Sequence, residues 1–345
     1  MRIDMNKHKD FAAMVESFFT EYLVKERGAS HHTIRSYRDT FVQFIEYMAE
    51  QMKIKPDKIL LSHIDKSRMT SFLNWLENER GASVSTRNQR RAAFCSFFKY
   101  LMYEDPIHMS QWKLAMSVKS KKGDGKALSY LTIDGIKALF EQVDIETRIG
   151  RRDLTLLSVL YNTGARVSEI ISLTPLSVRT EKPYIVRLYG KGSKHRIVPV
   201  DDETIGLLKK YMEENCLNER GSESRPLFFN TWGEPLTAPG ITYIVQKYAS
   251  MARMLHPELI PEKISPHVFR HSRAMHLLQA GVNLVYIRDL LGHVSVQTTE
   301  IYARADSKLK REALEKAYVD IGVKEPEVKS WDRNQNLKDF LKSLT

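Results

Sequence analysis

The sequence predicts a mainly α-helical protein with two domains, the second of which is an α+β domain with a small antiparallel β-sheet. Three observations support this prediction. The length of 345 residues exceeds the usual size of one domain. Apolar residues recur at helical spacing along most of the chain. Residues 184–189 and 196–200 instead read as strands, and they flank the turn sequence Gly-Lys-Gly-Ser at 190–193, as in a β-hairpin.

Shifts in composition divide the chain into four stretches. Amphipathic helices fill the first stretch, and a run of lysines with two glycines follows it. The chain ends on an apolar helical stripe that either its own domain or a neighbouring subunit must cover. The predicted stretches are a helical bundle at 1–110, a basic linker at 111–127, a second domain at 128–305 and a helical tail at 306–345.

The bundle contains one short sequence twice. Glu-Arg-Gly-Ala-Ser occurs at 26–30 and at 79–83, each time between two predicted helices, so the glycine can end one helix and the serine can cap the next. Hydroxyls and arginines follow both turns, and helix N-termini of this kind are good phosphate sites. A solvated basic face is the alternative. The candidate DNA contacts are Thr33, Arg35, Arg38, Arg87, Arg90 and Arg91.

An excess of basic residues indicates a polyanionic partner. The formal net charge is +11, although many basic proteins have no such partner. The linker is rich in lysine, and we predict it to be flexible and able to run along a phosphate backbone. Its candidate DNA contacts, with one from the hairpin turn, are Lys119, Lys121, Lys122 and Lys194.

Cysteine usage and hydropathy exclude two classes of protein. Cys95 and Cys216 lie far apart, which fits reduced thiols rather than a disulfide framework. The first ten residues are polar, and no apolar run reaches the ~18–20 residues of a membrane span. We therefore expect a cytoplasmic protein with no membrane partner.

Residues 265–302 carry groups suited to phosphate chemistry. Ser265 followed by Pro266 predicts the start of a helix, with the serine hydroxyl as its cap. His267 and Arg270 are three residues apart on that helix and so share a face. An imidazole just past a helix end and a phenol on the next helix follow, at His293 and Tyr302. Guanidinium, imidazole and phenol together suit an anionic phosphorus centre and an oxygen nucleophile.

Taken singly, these groups are more often structural. Arg166 with Glu169 three residues on is usually a helix ion pair, and Lys191 in a hairpin turn is normally solvated. Their order and flanking residues are far more specific: Thr-Gly-Ala-Arg-Val-Ser-Glu, Gly-Lys-Gly-Ser-Lys, His-Val-Phe-Arg-His, Leu-Leu-Gly-His and Thr-Thr-Glu-Ile-Tyr. With these five motifs the chain, over about residues 11–305, resembles the tyrosine recombinases, the phage integrase family.

The resemblance implies a role for each matching residue. Tyr302 attacks the scissile phosphodiester and forms a 3′-phosphotyrosine link, while Arg166 and Arg270 hold the non-bridging oxygens. Lys191 protonates the leaving 5′-oxygen, with Lys194 as the alternative if the register of the turn differs. His267 helps as a general acid–base, and His293 hydrogen-bonds the phosphate. Glu169 orients these groups. A cationic pocket should also lower the cost of removing the phenol proton.

The resemblance also implies an assembly on double-stranded DNA. Members of the family have a two-domain, C-shaped DNA clamp, and four protomers synapse two duplexes and exchange strands through a Holliday junction. We expect no metal, ATP or other cofactor, because the phosphotyrosine bond conserves the energy of the broken phosphodiester. Family tetramers pass C-terminal segments between subunits, which favours that role for the tail. A cytoplasmic, nucleoid-associated homotetramer is the expected working form.

Several functional alternatives stay open within and beyond this family. The long connector at 251–264 and the long tail favour integration or excision of a mobile element by a recombinase of the Xer-like or transposon type, without an arm-binding domain. An Xer-type resolvase of chromosome or plasmid dimers is the alternative. A topoisomerase-like enzyme and a DNA-binding protein with an idle catalytic domain fit less well. A metal-dependent nuclease would need a carboxylate cluster, which Asp289 and Glu300 do not provide.

Overall fold

The computed structural model describes residues 11–123, 128–190, 195–293, 295–305, 339 and 341–343. The chain forms two compact units, Met1–Lys126 and Ala127–Thr345. No helix within the described ranges is long and apolar enough to cross a membrane. Most of the predicted tail lies outside these ranges, as do both lysines of the hairpin turn, Lys191 and Lys194.

The first unit is a helical bundle, as predicted. Its helices are α1 (Phe11–Ser17), which continues as a π-helix (Phe18–Glu26), α2 (His31–Met52), α3 (Lys66–Asn78), α4 (Val84–Glu104) and α5 (Met109–Met116). Ser30 and Ser83 cap α2 and α4, each accepting a hydrogen bond from the backbone N–H three residues on (3.3 and 3.2 Å). Gly28 and Gly81 precede these caps at φ of +52° and +63°. The repeated Glu-Arg-Gly-Ala-Ser is therefore one helix-stop, helix-start device used twice.

Aromatic side chains fill the core of the bundle. The Phe44 ring lies 5.0 Å from Phe94 and 5.2 Å from Phe72, at interplanar angles of 63° and 89°. Tilted and edge-on pairs of this kind are the favoured aromatic geometry. Because α2, α3 and α4 each contribute a buried ring, the core fixes their orientation and hence the direction of the capped N-termini of α2 and α4.

The segment after α5 packs on the bundle, although a flexible linker was predicted there. Trp112 in α5 is only 1% exposed. Asn88 on α4 accepts a hydrogen bond from the Lys121 N–H (3.0 Å) and donates one to the Lys121 carbonyl (2.8 Å). Arg91 donates to the carbonyls of residues 116 (3.2 Å) and 118. Lysines and glycines suggested an unattached segment, but partners 25–33 positions earlier in the sequence hold this one in place.

The second unit combines helices with one small sheet, again as predicted. Its helices are α6 (Ile133–Phe140), α7 (Arg148–Thr163), α8 (Val167–Ile171), α9 (Asp202–Glu214), α10 (Ala238–Leu255), α11 (Pro266–Gln279), α12 (Leu284–Leu291) and α13 (Gln297–Ala305). The strands are β1 (Val178–Arg179), β2 (Ile185–Tyr189) and β3 (His195–Pro199).

The sheet is antiparallel in the order β1-β2-β3. The predicted hairpin is β2–β3, with Val186 opposite Val198 and Tyr189 opposite His195. Val186 and Val198 are fully buried, so one face of the hairpin packs on the core of the unit. The two-residue strand β1 was not predicted, because a stretch so short has no readable alternation.

Helix α7 lies at the centre of this core and packs against α9 and α11. It begins at residue 148, where the Thr147 hydroxyl caps it by accepting a hydrogen bond from the Gly150 N–H (3.0 Å). A Cβ on Gly150 would lie 1.7 Å from the Asp144 carbonyl oxygen, so only glycine fits this turn. The far end of α7 leads through Gly164 directly into the residues that resemble a catalytic motif.

Candidate active site

Helix α11 carries three of the side chains that form the site. Pro266 occupies its first turn, and the Val268 N–H donates to the Ser265 carbonyl (2.8 Å). The predicted cap by the Ser265 hydroxyl is wrong, since that hydroxyl makes no capping hydrogen bond. Phe269 is fully buried and anchors the helix in the core. The side chains that α11 delivers to the site are those of His267, Arg270 and His271.

Arg270 is buried and held by two main-chain carbonyls. Its Nη1 donates to the Gly164 carbonyl and its Nη2 to the Leu291 carbonyl, both at 2.6 Å. The side chain is 4% exposed, and burial followed by the nearby charges of Arg166 and Arg196 lowers its pKa to about 10. The guanidinium is therefore still charged at neutral pH, and it ties the end of α7 to the end of α12.

Glu169 organises the other two guanidinium groups. It is 1% exposed and accepts four hydrogen bonds, two from Arg196 (2.6 and 2.9 Å) and two from Arg166, through its backbone N–H (2.7 Å) and its Nη1 (2.9 Å). Burial raises the pKa of this carboxyl, but the hydrogen bonds and charges of the two arginines outweigh burial, so the pKa lies below its ordinary value. Arg166 also donates to the Gly292 carbonyl (3.2 Å), so it too is fixed in place.

Two glycines in left-handed conformations bring these pieces close together. Gly164 (φ +57°) ends α7 and Gly292 (φ +64°) ends α12. A Cβ on Gly164 would lie 2.7 Å from the Leu291 side chain, and one on Gly292 would lie 3.1 Å from the Arg196 side chain. Both turns are thus required for conformation and for close approach, and both glycine carbonyls accept hydrogen bonds from site arginines.

Tyr302 on α13 points its hydroxyl into this cluster. The side chain is 1% exposed, and its oxygen lies 3.0 Å from Nδ1 of His271. Burial raises the pKa of the phenol, and Arg270 and Arg166 offset part of that effect. The two arginines thus lower the cost of removing the phenol proton, as expected of a cationic pocket, but desolvation is the larger effect. At neutral pH the Tyr302 phenol keeps its proton.

His293 lies beside Tyr302 just beyond the end of α12. Its ring is nearly parallel to the phenol ring, with centroids 6.4 Å apart and an angle of 10° between the planes. Its Nδ1 lies 2.9 Å from the hydroxyl of Thr299, which is fully buried. Burial, then the charges of Arg270 and Arg166, lower its pKa to about 4. A neutral imidazole with Nδ1 already engaged leaves its Nε2 side for another partner.

The cluster carries excess positive charge. Arg166, Arg196 and Arg270 contribute three guanidinium groups, and Glu169 alone among the described groups that bond to them carries a negative charge. Part of the His267 side chain is exposed to solvent. Partial desolvation of its ring, and then the charges of Arg270 and Arg166, lower its pKa. A partly buried site with this imbalance favours an anion such as a phosphodiester over a neutral ligand.

The predicted site residues of the second unit thus fall into two groups. Five of them are linked by hydrogen bonds, ring contacts or carbonyl partners near the end of α12. His267 lies next to this cluster, with its ring centroid 6.5 Å from that of His271. Lys191 and Lys194 lie outside the described residues. The five residues are Arg166, Glu169, Arg270, His293 and Tyr302.

Sequence reasoning did not single out Arg196 and His271. Arg196 lies on β3 and makes the bidentate pair with Glu169, and its Nε donates to the Leu290 carbonyl (2.7 Å). His271 ends the quoted His-Val-Phe-Arg-His motif, so the signal was adjacent in sequence to Arg270. No comparable signal marked Arg196, because an arginine in a strand is ordinarily solvent-facing.

The candidate DNA contacts of the first unit separate by exposure. Arg87 is 3% exposed and its Nε lies 3.1 Å from the Glu77 carboxylate, and Arg90 donates to the Ser36 carbonyl (3.0 Å). Arg91 holds the segment after α5, and Lys121 pairs with Glu77 at 2.7 Å. The candidates with exposed or half-exposed side chains that make none of these bundle contacts are Thr33, Arg35, Arg38, Lys119 and Lys122.

No group of three or more histidine, cysteine, aspartate or glutamate side chains arranged to hold a metal ion occurs among the described residues. The donor set around Tyr302 consists of guanidinium groups and imidazoles with lowered pKa values, with one carboxylate that is already saturated by arginines. Such a set suits an anion better than a cation.

Comparison with known proteins identifies the family. The model of the phage integrase family matches residues 129–308, and the model of the phage integrase N-terminal SAM-like domain matches residues 17–105. The putative integrase/recombinase y4rC of Sinorhizobium fredii (strain NBRC 101917 / NGR234) is 36% identical over 340 residues, 99% of this chain and 100% of the relative. The tyrosine recombinase XerC of Thermodesulfovibrio yellowstonii is 31% identical over 304 residues, 87% of this chain and 94% of the relative.

A solved structure agrees with these relatives. The XerH site-specific recombinase, in a pre-cleavage complex with difH substrate, superposes with a TM-score of 0.63 at 25% identity, covering 88% of this chain and 84% of that one. Both family models, the full-length relative and this fold point to the same conclusion. The chain belongs to the phage integrase family and is a tyrosine-type site-specific recombinase.

Proposed function

We propose that this recombinase cuts and rejoins specific DNA sites through a covalent bond between Tyr302 and a 3′-phosphate. The observation that carries the proposal is the placement of the Tyr302 hydroxyl in a cluster of three fixed guanidinium groups with one carboxylate. A nucleophile next to excess positive charge fits attack on a phosphodiester, where negative charge accumulates on the non-bridging oxygens.

Each group then has a role that its geometry supports. Arg166 and Arg270 are held by carbonyls in advance, and each guanidinium retains N–H groups to donate to non-bridging oxygens. His293, neutral at pH 7, donates a hydrogen bond from Nε2 to the phosphate. His267 serves as a general acid–base, and Lys191 (or Lys194) protonates the leaving 5′-oxygen. Glu169 fixes Arg166 and Arg196 rather than touching DNA.

We propose that both units contact double-stranded DNA. The structure of XerH with difH substrate is a DNA complex of a protein with this fold. In this chain, Thr33 lies in the first turn of α2, and the exposed Arg35 and Arg38 follow two and five residues on. Arg38 shares its guanidinium with Asp39 (2.8 Å), so Arg35 is the more accessible donor at the predicted phosphate site. Lys119 and Lys122 extend the exposed basic surface of the same unit. Arg87, Arg90 and Arg91 instead stabilise the bundle.

Integration or excision of a mobile element is the role that we favour. The relative that covers this chain from end to end, including the region of the tail, is a putative integrase/recombinase. The XerC relative covers 87% of this chain, which supports dimer resolution as the second candidate. We further propose a homotetramer on synapsed DNA, with segment 306–345 exchanged between subunits. Deleting 306–345 should then weaken assembly and leave single-site DNA binding largely intact; equal loss of both would oppose this.

Covalent capture tests the proposal. A pool of nicked duplexes with randomised arms, labelled at the 5′ end of the cut strand, is incubated with full-length protein in EDTA and resolved on a denaturing gel. The 3′-phosphotyrosine mechanism predicts a labelled protein band with wild type and none with Tyr302→Phe. A band that survives Tyr302→Phe would exclude this nucleophile. DNA binding without any adduct would favour a DNA-binding protein with an idle catalytic unit.

The captured sequences also separate the two candidate roles. Wild-type protein is incubated with two supercoiled plasmids, one carrying a single captured site and the other carrying two directly repeated sites. Integration chemistry predicts joining of captured ends to a second, non-identical duplex. Products restricted to exchange between identical sites would favour dimer resolution.

A further inference from the structure

The Tyr302 hydroxyl is hydrogen-bonded to the imidazole of His271, one residue after Arg270 on α11. Nδ1 of His271 lies 3.0 Å from the phenol oxygen, and the ring centroids are 5.8 Å apart. This distance is that of a direct hydrogen bond to the atom that would attack phosphorus. The buried Tyr302 and the half-buried His271 therefore share a bond that little solvent can replace.

The charged and titratable groups around His271 keep it neutral. His267 and Arg270 face it along α11, and Tyr302 faces it from α13. His293 is close enough to interact with it electrostatically. Burial, then His267 and Arg270, lower its pKa. A neutral imidazole that carries its proton on Nε2 has a free lone pair at Nδ1. The phenol, whose pKa burial raises, supplies the proton in this hydrogen bond.

We propose that His271 is a further catalytic residue of this enzyme, the base that accepts the phenol proton of Tyr302 during DNA cleavage. The inference rests on the proposed function, because Tyr302 must be the nucleophile. As the phenol oxygen bonds to phosphorus, its O–H bond breaks and the proton passes to Nδ1. The bond from phosphorus to the 5′-oxygen breaks, and that oxygen takes a proton from the general acid assigned to Lys191.

The same residue completes the reverse step. When a 5′-hydroxyl attacks the phosphotyrosine, it loses its proton to the group that acted as general acid, and the phenolate leaves. The phenolate recovers its proton from Nδ1 of His271, so both residues end as they began. The other two imidazoles are less suited to this transfer. His293 has Nδ1 on Thr299 and a ring parallel to the phenol, and His267 lies beyond His271.

The pH dependence of single-turnover cleavage tests this role in full-length protein with a captured nicked duplex. Asparagine places a polar atom near the position of Nδ1 but cannot take a proton, so His271→Asn preserves the hydrogen bond and removes the base. At pH 7 we expect cleavage to slow by about 10²–10³-fold, within the range of general base catalysis. Wild type should be nearly flat from pH 7 to 9, whereas the variant should gain about tenfold per pH unit, because only the phenolate reacts.

His276→Asn is the matched control. His276 lies on the same helix and is also buried, and its Nδ1 lies 2.8 Å from a tyrosine hydroxyl, that of Tyr161, which is outside the cluster. This variant should keep the flat pH profile of wild type. A duplex with a 5′-bridging sulfur, whose leaving group needs no general acid, should leave the defect of His271→Asn unchanged. Restoration of the rate by sulfur would place His271 on the leaving-group side and overturn the proposal.

Two further results would overturn the proposal. One is a His271→Asn rate within a few-fold of wild type, and the other is a lower rate with the flat wild-type profile, which would make His271 a positioning residue. If His271→Asn does not fold, ring ¹⁵N shifts of wild type decide the question. The His271 signals, distinguished from those of His293 by sequence-specific assignment, should change in Tyr302→Phe and show the proton on Nε2, and a proton on Nδ1 would contradict the proposal. Absence of any wild-type adduct, by contrast, would refute the proposed function itself.

Discussion

Replacing Glu169 by glutamine should destabilise the second unit strongly. The carboxylate is 1% exposed and accepts four hydrogen bonds of 2.6–2.9 Å from Arg166 and Arg196. Glutamine has nearly the same shape, but it lacks the charge, and its amide nitrogen would face a guanidinium donor. The variant therefore leaves buried positive charge without compensation, which is the costly way to break an ion pair.

The size of the effect follows from this burial. Removal of one partner from a buried ion pair costs about 3–5 kcal/mol. With a denaturant dependence of about 2 kcal/mol per molar urea, the unfolding midpoint should fall by about 2 M. Because the pKa of Glu169 is held below its ordinary 4.5, its contribution is complete above that pH and is lost as pH falls through the lower folded-state pKa. The difference between variant and wild type should thus be constant from pH 6 to 8 and shrink in acid.

Urea unfolding followed by circular dichroism measures the loss, and hydrogen exchange of α7 and α8 assigns it to the second unit. Glu214→Gln is the control, since Glu214 accepts a comparable set of hydrogen bonds from Arg151 (2.5–3.2 Å) but is itself 26% exposed, against 1% for Glu169. Solvent screens that pair, so its removal should hardly move the midpoint. If Glu169→Gln shifts the midpoint no more than Glu214→Gln, the buried network does not hold the site.

Three other perturbations follow from the geometry. Gly292→Ala should abolish covalent capture on the gel. The left-handed backbone costs alanine roughly 1–2 kcal/mol, and its Cβ would lie 3.1 Å from the Arg196 side chain. Normal capture would contradict this. Arg91→Ala should speed hydrogen exchange in residues 117–122, as its bonds to that segment are lost, and unchanged exchange would disprove the anchoring. His293, with a pKa of about 4, should not titrate by NMR between pH 8 and 5. In the unfolded chain His293 takes up a proton near pH 6.5, so the stability contributed by the neutral, buried imidazole falls as pH drops from 6.5 to 4. An NMR titration midpoint near 6.5 would show that burial does not lower the pKa of His293.

The helices, their caps and the hairpin could be predicted from sequence because their causes are local. Ser30 and Ser83 cap helices at the two repeats, as expected. The start of α7 at residue 148 has no comparable signal in the hydrophobic pattern. Its determinant, the close approach of Gly150 to the Asp144 carbonyl, depends on a loop conformation that no periodicity reports.

Long-range partners explain the remaining differences. Arg87 and Arg91 follow a helix N-terminus, which in sequence resembles a phosphate site. In the structure Arg87 pairs with Glu77, and Arg91 donates hydrogen bonds to carbonyls at the end of α5 and just after it. Arg196 is 27 positions from Glu169, and nothing local marks their pairing. The raised pKa of Tyr302 could not be predicted from sequence either, because it depends on how deeply the phenol is buried. Residue type and order indicate the chemistry, whereas three-dimensional contacts decide which cations are free to perform it.

The residue that becomes covalently attached to DNA decides whether Tyr302 is the nucleophile. Wild-type adduct is digested with nuclease and trypsin, and tandem mass spectrometry locates the residual nucleotide. Cleavage after Arg288 and Arg304 gives the peptide 289–304, in which Tyr302 is the only tyrosine and Ser295, Thr298 and Thr299 are the other hydroxyls. We expect a 3′-linked nucleotide on Tyr302. A nucleotide on one of those hydroxyls or on a different peptide would contradict it.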